Sequence, residues 1–439
     1  MELTGRTGGK NLRECSRGEH RGFFQGKRTA AGFIEHALST MPFRLIFALL
    51  ALWSGLFLCC VDADDSPKPF GDNVTLRGTL NNSRLQFERV RKGNVAFMGG
   101  SITEMDGYRP MVCDLLKKRF PDTEFTFTNA GIASTCSTTG AFRLATDVLA
   151  HGPIDLFFLE FAVNDDQDAH HTREECIRGV EGILRHAWAA NPNMDVVITF
   201  FVNEGMLKQL QANEVPLTIE AHGAVANSYG ISTINLAKEV AEEITARKMT
   251  WHEYGGVHPA PFGNAICARM IDELFARAWS QPLPVDATLS THTLPPPIDS
   301  LSYTNGRFID PKQAKVKQGW TYGVPDWSNL PGGKRPRFTS IPMLSATDAG
   351  AEVTLDFSGT AVGAYVVAGP DAGIVEASID GGAFHPINLY HSFSAGLHYP
   401  RTVMFAAELT SGQHVLDLRV SSDTKSNGHA ARVIEFVAN

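Results

Sequence analysis

Four residues of this 439-residue chain have the types that nucleophilic acyl chemistry requires, and they follow one another as serine, glycine, asparagine and histidine. Ser101 lies in Gly99-Gly100-Ser101-Ile102-Thr103, a glycine turn between an apolar run and a helical pattern. That turn lifts a hydroxyl clear of a sheet and aims the first helix N–H groups at whatever binds beside it. A serine at that place would also serve as an ordinary helix N-cap. A free hydroxyl is barely nucleophilic at neutral pH, so it needs a base, and His258 in Gly256-Val257-His258-Pro259 is the candidate. In Asn129-Ala130-Gly131-Ile132, Gly131 lets a backbone N–H approach a ligand, and in Phe161-Ala162-Val163-Asn164-Asp165 the Asn164 amide can donate to an oxyanion. Singly, a turn glycine and a loop asparagine bonded to its own backbone explain these two as well. Together, at successive strand-to-loop junctions, the four point to one site.

The elements that must position them alternate from Asn94 to about Ser280. Short apolar runs at 95–98, 125–128, 154–159, 196–200 and 231–235 read as strands, and longer amphipathic stretches at 139–149, 173–190, 218–229, 237–247 and 260–279 read as helices. The run Ile154-Asp155-Leu156-Phe157-Phe158-Leu159 is too uniformly apolar for a half-exposed strand and belongs at the centre of a parallel sheet. This is an α/β domain, whose functional loops sit at the carboxyl ends of its strands.

Over residues 94–279 the chain resembles the SGNH hydrolases, also called GDSL esterases, on Ser101, Gly131, Asn164 and His258. The resemblance implies a three-layer α/β/α hydrolase with no metal or organic cofactor. Ser101 would be the nucleophile and His258 the general base. The N–H groups of Ser101 and Gly131 and the Asn164 side chain would form the oxyanion hole. One position departs from the family pattern: Gly255 stands where an aspartate three residues before the histidine is usual. Glu253 is the expected orienting acid. Glu204 and a Ser-His dyad steadied by a backbone carbonyl are the alternatives. Gly100 likewise replaces the aspartate of the GDSL spelling.

Asp165, Asp166, Asp168, His170 and His171 cluster beside Asn164 and read as a solvated loop feeding a helix, since no closed ligand set marks a structural metal there. His222 and Trp251 read as packing residues. Residues 281–299, with Pro295-Pro296-Pro297, read as a linker. Beyond them, period-two runs such as Val353–Phe357, Val362–Val367 and His414–Val420, punctuated by turns such as Asp380-Gly381-Gly382, predict an antiparallel β-sandwich over 300–439. Trp320, Trp327, Tyr390 and Tyr399 are expected mainly in its core.

At the other end, the apolar run from Leu45 to Cys60 followed by Val61-Asp62-Ala63 predicts a signal peptide cut near Ala63, with Met41 as an alternative start and residues 64–93 as a lead-in. The run is short for a membrane span, so a secreted or periplasmic protein is expected. An uncleaved anchor is the alternative, and a lipidated Cys59 or Cys60 lacks the usual small residues before it. The remaining cysteines, Cys113, Cys136, Cys176 and Cys267, are too widely spaced for a disulfide framework and are expected unpaired. Asn73-Val74-Thr75 and Asn81-Asn82-Ser83 are glycosylation sequons. With 43% hydrophobic and 20% charged residues the chain buries a core, and a formal charge of -8 argues against nucleic acid as a partner.

The expected activity is a secreted esterase that removes small acyl groups, acetyl above all, from carbohydrate. The alternatives are a lipid or lysophospholipid esterase and a carbohydrate-binding protein whose hydrolase domain has lapsed.

Overall fold

The computed structural model describes residues 70–439. The signal peptide, its cut near Ala63 and the alternative start at Met41 lie outside the described residues. Six strands form the first sheet: β1 (Val74–Thr75), β2 (Lys92–Gly99), β3 (Glu124–Gly131), β4 (Leu156–Glu160), β5 (Asp195–Thr199) and β6 (Ser232–Ile234), in the order β1-β6-β5-β4-β2-β3. All pairs are parallel except β1 with β6. Every residue of β4 and β5 is buried, which is why these runs show no alternation in sequence.

Helices cover both faces. The helix Arg173–Ala190 begins with a capping box in which Thr172 and Glu175 satisfy each other's backbone N–H groups, and it buries Cys176, Ile177, Val180, Ile183, Leu184, Ala187 and Trp188 at helical spacing. It packs between Ser137–Asp147 and Leu217–Ser228, while Tyr108–Arg119 packs on Pro261–Ala278. The chain passes from β2 outward to β3 and returns across β2 to β4. This reversal opens a crevice at the carboxyl ends of β2 and β4, where α/β proteins bind ligands. Gly99 pairs in register with Gly131 on one side and Glu160 on the other, so three strands end at one level.

The lead-in is part of this domain. Asn73 Nδ2 donates to Glu239 and Glu242 at 2.7 Å each, and Ser83 bonds Asp195 through its N–H and hydroxyl at 2.8 Å each. Asn73 is therefore a buried sequon asparagine whose amide is already engaged. The proline-rich stretch is also docked rather than loose. His292 stacks on Trp188 with centroids 4.7 Å apart, and the buried Glu181 carboxylate accepts from the Ile298 and Asp299 N–H groups and the Ser302 hydroxyl. Prolines gave this segment no periodicity, but the N–H groups of Ser290, His292, Ile298 and Asp299 donate to the hydrolase domain. The helix Glu204–Gln211 and strand β1 are further elements that hydrophobic patterning did not reveal.

The C-terminal part holds two antiparallel sheets built from β7 (Arg307–Ile309), β8 (Lys315–Gln318), β9 (Thr321–Gly323), β10 (Met343–Ala346), β11 (Glu352–Gly359), β12 (Val362–Ala368), β13 (Ile374–Ile379), β14 (His385–Asn388), β15 (Tyr399–Ala406), β16 (Gly412–Val420) and β17 (Ala431–Ala438). One sheet runs β15-β12-β17-β10-β9, with β7 on β17, and the other runs β14-β13-β16-β11-β8. Strand β12 is buried at every position, and its alternation divides two cores. Val362, Ala364, Val366 and Ala368 face the sandwich interior with Leu355, Leu416 and Phe436, as does Trp320. Tyr365 and Val367 join the core of the α/β domain with Phe338, Met343 and Tyr303.

Because that core is continuous, the two parts should unfold together. Calorimetry of the full chain is expected to show one cooperative transition. Two well-separated transitions would contradict a shared core.

Candidate active site

Ser101 opens the short helix Ser101–Glu104 directly after β2, and its Oγ lies 2.7 Å from His258 Nε2. Gly100 occupies the N-cap position, so Ser101 is not the helix's capping side chain. A Cβ at Gly100 would stand 2.0 Å from Asn164 Oδ1, so only glycine allows the Asn164 amide to lie against the Ser101 turn. The same contact explains why the aspartate of the GDSL spelling has no room here.

The usual acid position is closed by the backbone. Gly255 caps the helix Trp251–Tyr254 at φ +107°, and a Cβ there would meet the Ala260 nitrogen at 2.0 Å. The structure does not bring Glu253 to the histidine. Its carboxylate accepts from the Thr250 N–H and hydroxyl at 2.8 Å each, in a capping box, and these bonds hold its pKa below the usual range. Glu253 was expected from spacing alone, but its own helix start claims it first. Glu204 is exposed and paired with Lys208 at 2.8 Å. Among the described residues no carboxylate hydrogen-bonds to His258, which leaves the Ser101–His258 pair as a dyad.

Asn164 sits in the helix Ala162–Gln167 after β4, and its Nδ2 donates to Asp168 Oδ2 at 2.8 Å. Gly131 ends β3, but its N–H donates to Asn129 Oδ1 at 3.0 Å within its own turn. Three residues on, Ser134 adopts φ +70°, and its N–H has no acceptor among the described residues.

The C-terminal part reaches this loop. Arg335 donates to the Ala133 carbonyl and, at 2.8 Å, to Ser134 Oγ. Arg337 pairs with Glu104 Oε1 at 3.1 Å, while Glu104 Oε2 accepts the Ala133 N–H at 2.9 Å. A cavity of about 380 Å³ lies between them, lined by Glu104, Ile132, Ala133, Arg335, Pro336, Arg337 and Phe338.

The carboxylate cluster after Asn164 is not a solvated loop throughout. Asp165 is wholly buried, with Oδ1 accepting the Ser137 N–H at 2.8 Å and Oδ2 facing Ser137 Oγ at 2.7 Å and His222 Nε2 at 2.8 Å. Burial opposes ionisation, yet His171 and His222 hold its carboxyl well below the usual range. Against the same burial, the Asp165 bond brings His222 up to about 9. Cys136, Asp165 and His171, and also Asp165, Cys176 and His222, place ligand-type atoms within 4.8 Å of one another. Asp165's oxygens are already engaged by Ser137 and His222, so the arrangement is a hydrogen-bonded cap that fixes the Asn164 loop to the helix Ser137–Asp147. All four described cysteines are free and buried.

Beside Thr103, whose hydroxyl is 3.3 Å from its Oε2, lies the buried Glu160 at the end of β4. Burial pushes its carboxyl up to about 7, although the Thr103 hydroxyl and Gly100 N–H favour ionisation. Such a group contributes stability that is complete below its ordinary pKa of 4.5 and is lost as pH rises through about 7. Glu160→Gln should therefore flatten the fall in Tm between pH 5 and pH 8, and parallel curves for variant and wild type would refute this. Gly255→Asp, which restores the family's acid by name, should lower both kcat and Tm, since strain at positive φ costs about 1–3 kcal/mol. A gain in kcat would show that the loop can open around it.

Residues 97–266 match the GDSL-like Lipase/Acylhydrolase family. Among solved structures, a two-domain esterase (CEX) active on acetylated mannans, co-crystallized with mannopentaose, has a TM-score of 0.67 at 20% identity, covering 83% of this chain and 96% of that one. Another structure of a two-domain esterase (CEX) active on acetylated mannans gives 0.68 at 20%, with the same coverage. A search of curated proteins finds no relative that matches. At this identity the structural likeness bears on the fold, an α/β hydrolase followed by antiparallel β-sheets. Residues 97–266 form a GDSL-like lipase/acylhydrolase domain, and the chain that carries it is a carboxylic ester hydrolase.

Proposed function

We propose that the protein removes small acyl groups, acetyl above all, from carbohydrate by a Ser-His mechanism with an acyl-enzyme intermediate. The observation that carries the mechanism is the 2.7 Å approach of Ser101 Oγ to His258 Nε2 at the reversal of strand order. In this reading His258 Nε2 takes the serine proton as Oγ attacks the ester carbonyl carbon. The oxyanion is held by the Ser101 N–H and the second hydrogen of Asn164 Nδ2. The Gly131 N–H is the third donor in this reading, and it joins by releasing Asn129 Oδ1, which it bonds at 3.0 Å. The tetrahedral adduct collapses with loss of the sugar oxygen, which receives the proton from His258. Water, deprotonated by the same imidazole, then attacks the acyl carbon, and the second adduct collapses to the carboxylic acid as His258 returns the proton to Ser101 Oγ.

The carbohydrate part of the proposal is supported by the two-domain esterase active on acetylated mannans, whose fold this chain shares over both of its parts. Secretion rests on the apolar run from Leu45 to Cys60. The 281–299 boundary between hydrolase and sandwich is likewise kept as an organisational reading, although the segment is docked.

Ser101→Ala and His258→Ala should each lower kcat by at least about a thousandfold, whereas Glu253→Gln should stay within about threefold of wild type. Acetylated mannan and xylan should be deacetylated in preference to long-chain acyl esters. Hydrolysis confined to long chains would sink the acetyl reading in favour of a lipid esterase. Failure of a fluorophosphonate to label Ser101 in the folded protein would favour the lapsed, carbohydrate-binding reading.

A further inference from the structure

The α/β domain does not hold the Asn164 amide by itself. One helical turn on from Asn164, Asp168 accepts from Asn164 Nδ2 with Oδ2 at 2.8 Å, and its Oδ1 accepts from the Tyr399 hydroxyl at 2.6 Å. Tyr399 is the first residue of β15, 231 positions away in sequence and in the other part of the chain. Asn164, Asp168 and Tyr399 are all buried, at 2%, 7% and 1% exposure. The tyrosine ring is itself pinned: it stacks on His391 at 4.7 Å and 10°, and Phe393 lies 5.6 Å away. The same hydroxyl stands 3.3 Å from the Ser134 carbonyl. One buried hydroxyl thus touches both loops that carry candidate oxyanion donors.

A carboxylate offers acceptors only. Asp168 therefore compels Asn164 to turn its nitrogen that way, because a flipped amide would set its oxygen against a negative charge. The amide also lies against Gly100, where even a Cβ would collide, so it has little room to rotate. Without the tyrosine hydroxyl, Asp168 Oδ1 would be a buried charge lacking a donor, a costly state relieved by rotation away from Asn164. Gln167 Nε2, already 3.3 Å from Asp168 Oδ2, would then compete for the carboxylate.

We propose that Tyr399 is a positioning residue for ester hydrolysis, through which the β-sandwich, by way of Asp168, locks the Asn164 amide in its donor orientation. This rests on the reading of Asn164 as an oxyanion donor. Stabilisation of charge that develops only in the transition state affects kcat rather than KM.

The test is a double-mutant cycle in the full chain with 4-nitrophenyl acetate, Tm being measured alongside. Tyr399→Phe should lower kcat about tenfold with KM within about twofold, and Asn164→Ala should lower kcat about a hundredfold or more. The double variant should fall no more than about threefold below Asn164→Ala, because the tyrosine acts through a side chain that is already gone. Multiplied losses in the double variant, or a Tyr399→Phe kcat equal to wild type, would overturn the link. If Asn164→Ala keeps wild-type kcat while Ser101→Ala is inactive, the oxyanion reading of Asn164 fails instead. Should Tyr399→Phe not fold, Asp168→Asn takes its place, with the same non-additive outcome expected and the same multiplied losses refuting it.

Discussion

The level at which β2, β3 and β4 end is the constraint on which the site depends. Gly99 stands in register with Gly131 and Glu160, so the loops bearing Ser101, Ser134 and Asn164 all begin from one plane. Val95 to Met98 and the whole of β4 are packed on both faces, and a slip of one residue would set every side chain against the opposite layer of helices. The position of Ser101 is a by-product of packing the sheet. His258 is carried by the loop between the Gly255 cap and the helix Pro261–Ala278.

The second constraint is that the sandwich is not an appendage. Its inner strand β12 shares residues between two cores, and Arg335, Arg337 and Tyr399 touch the loop after β3 or the residues beside it. A hydrolase domain with a separate sugar-binding module would need only a tether. Here the docked proline-rich segment and the buried Glu181 cap make the relation between the two parts fixed.

Much of this was legible in the sequence, for a physical reason. Period and apolar content report burial, and burial decided strands β2 to β6 and the long helices to within a few residues. Ser101, Asn164 and His258 could be singled out as candidates because side-chain chemistry at a strand end is written in residue type, and the structure sets Ser101 Oγ 2.7 Å from His258 Nε2. What escaped depended on backbone or on distance. Gly131 looked like a donor because glycine permits close approach, but the neighbouring Asn129 takes its N–H. Glu253 looked like an acid because it was near, but a capping box claims a glutamate at the third helical position. Tyr399 read as core packing, and its ring does pack; its hydroxyl finds Asp168 only through the tertiary fold.

The placement of β17 has a consequence for how the protein is made. It is the last strand in sequence, yet it lies inside its sheet, pairing with β12 and β10 and carrying β7 on its end. The sheet that covers the α/β domain therefore cannot close until residues 431–438 have left the ribosome. Until then Tyr365, Phe338 and Val367 have no complete sheet from which to join the α/β core. Closure of that sheet thus waits on a strand synthesised some 150 residues after the helix Pro261–Ala278 that completes the α/β domain.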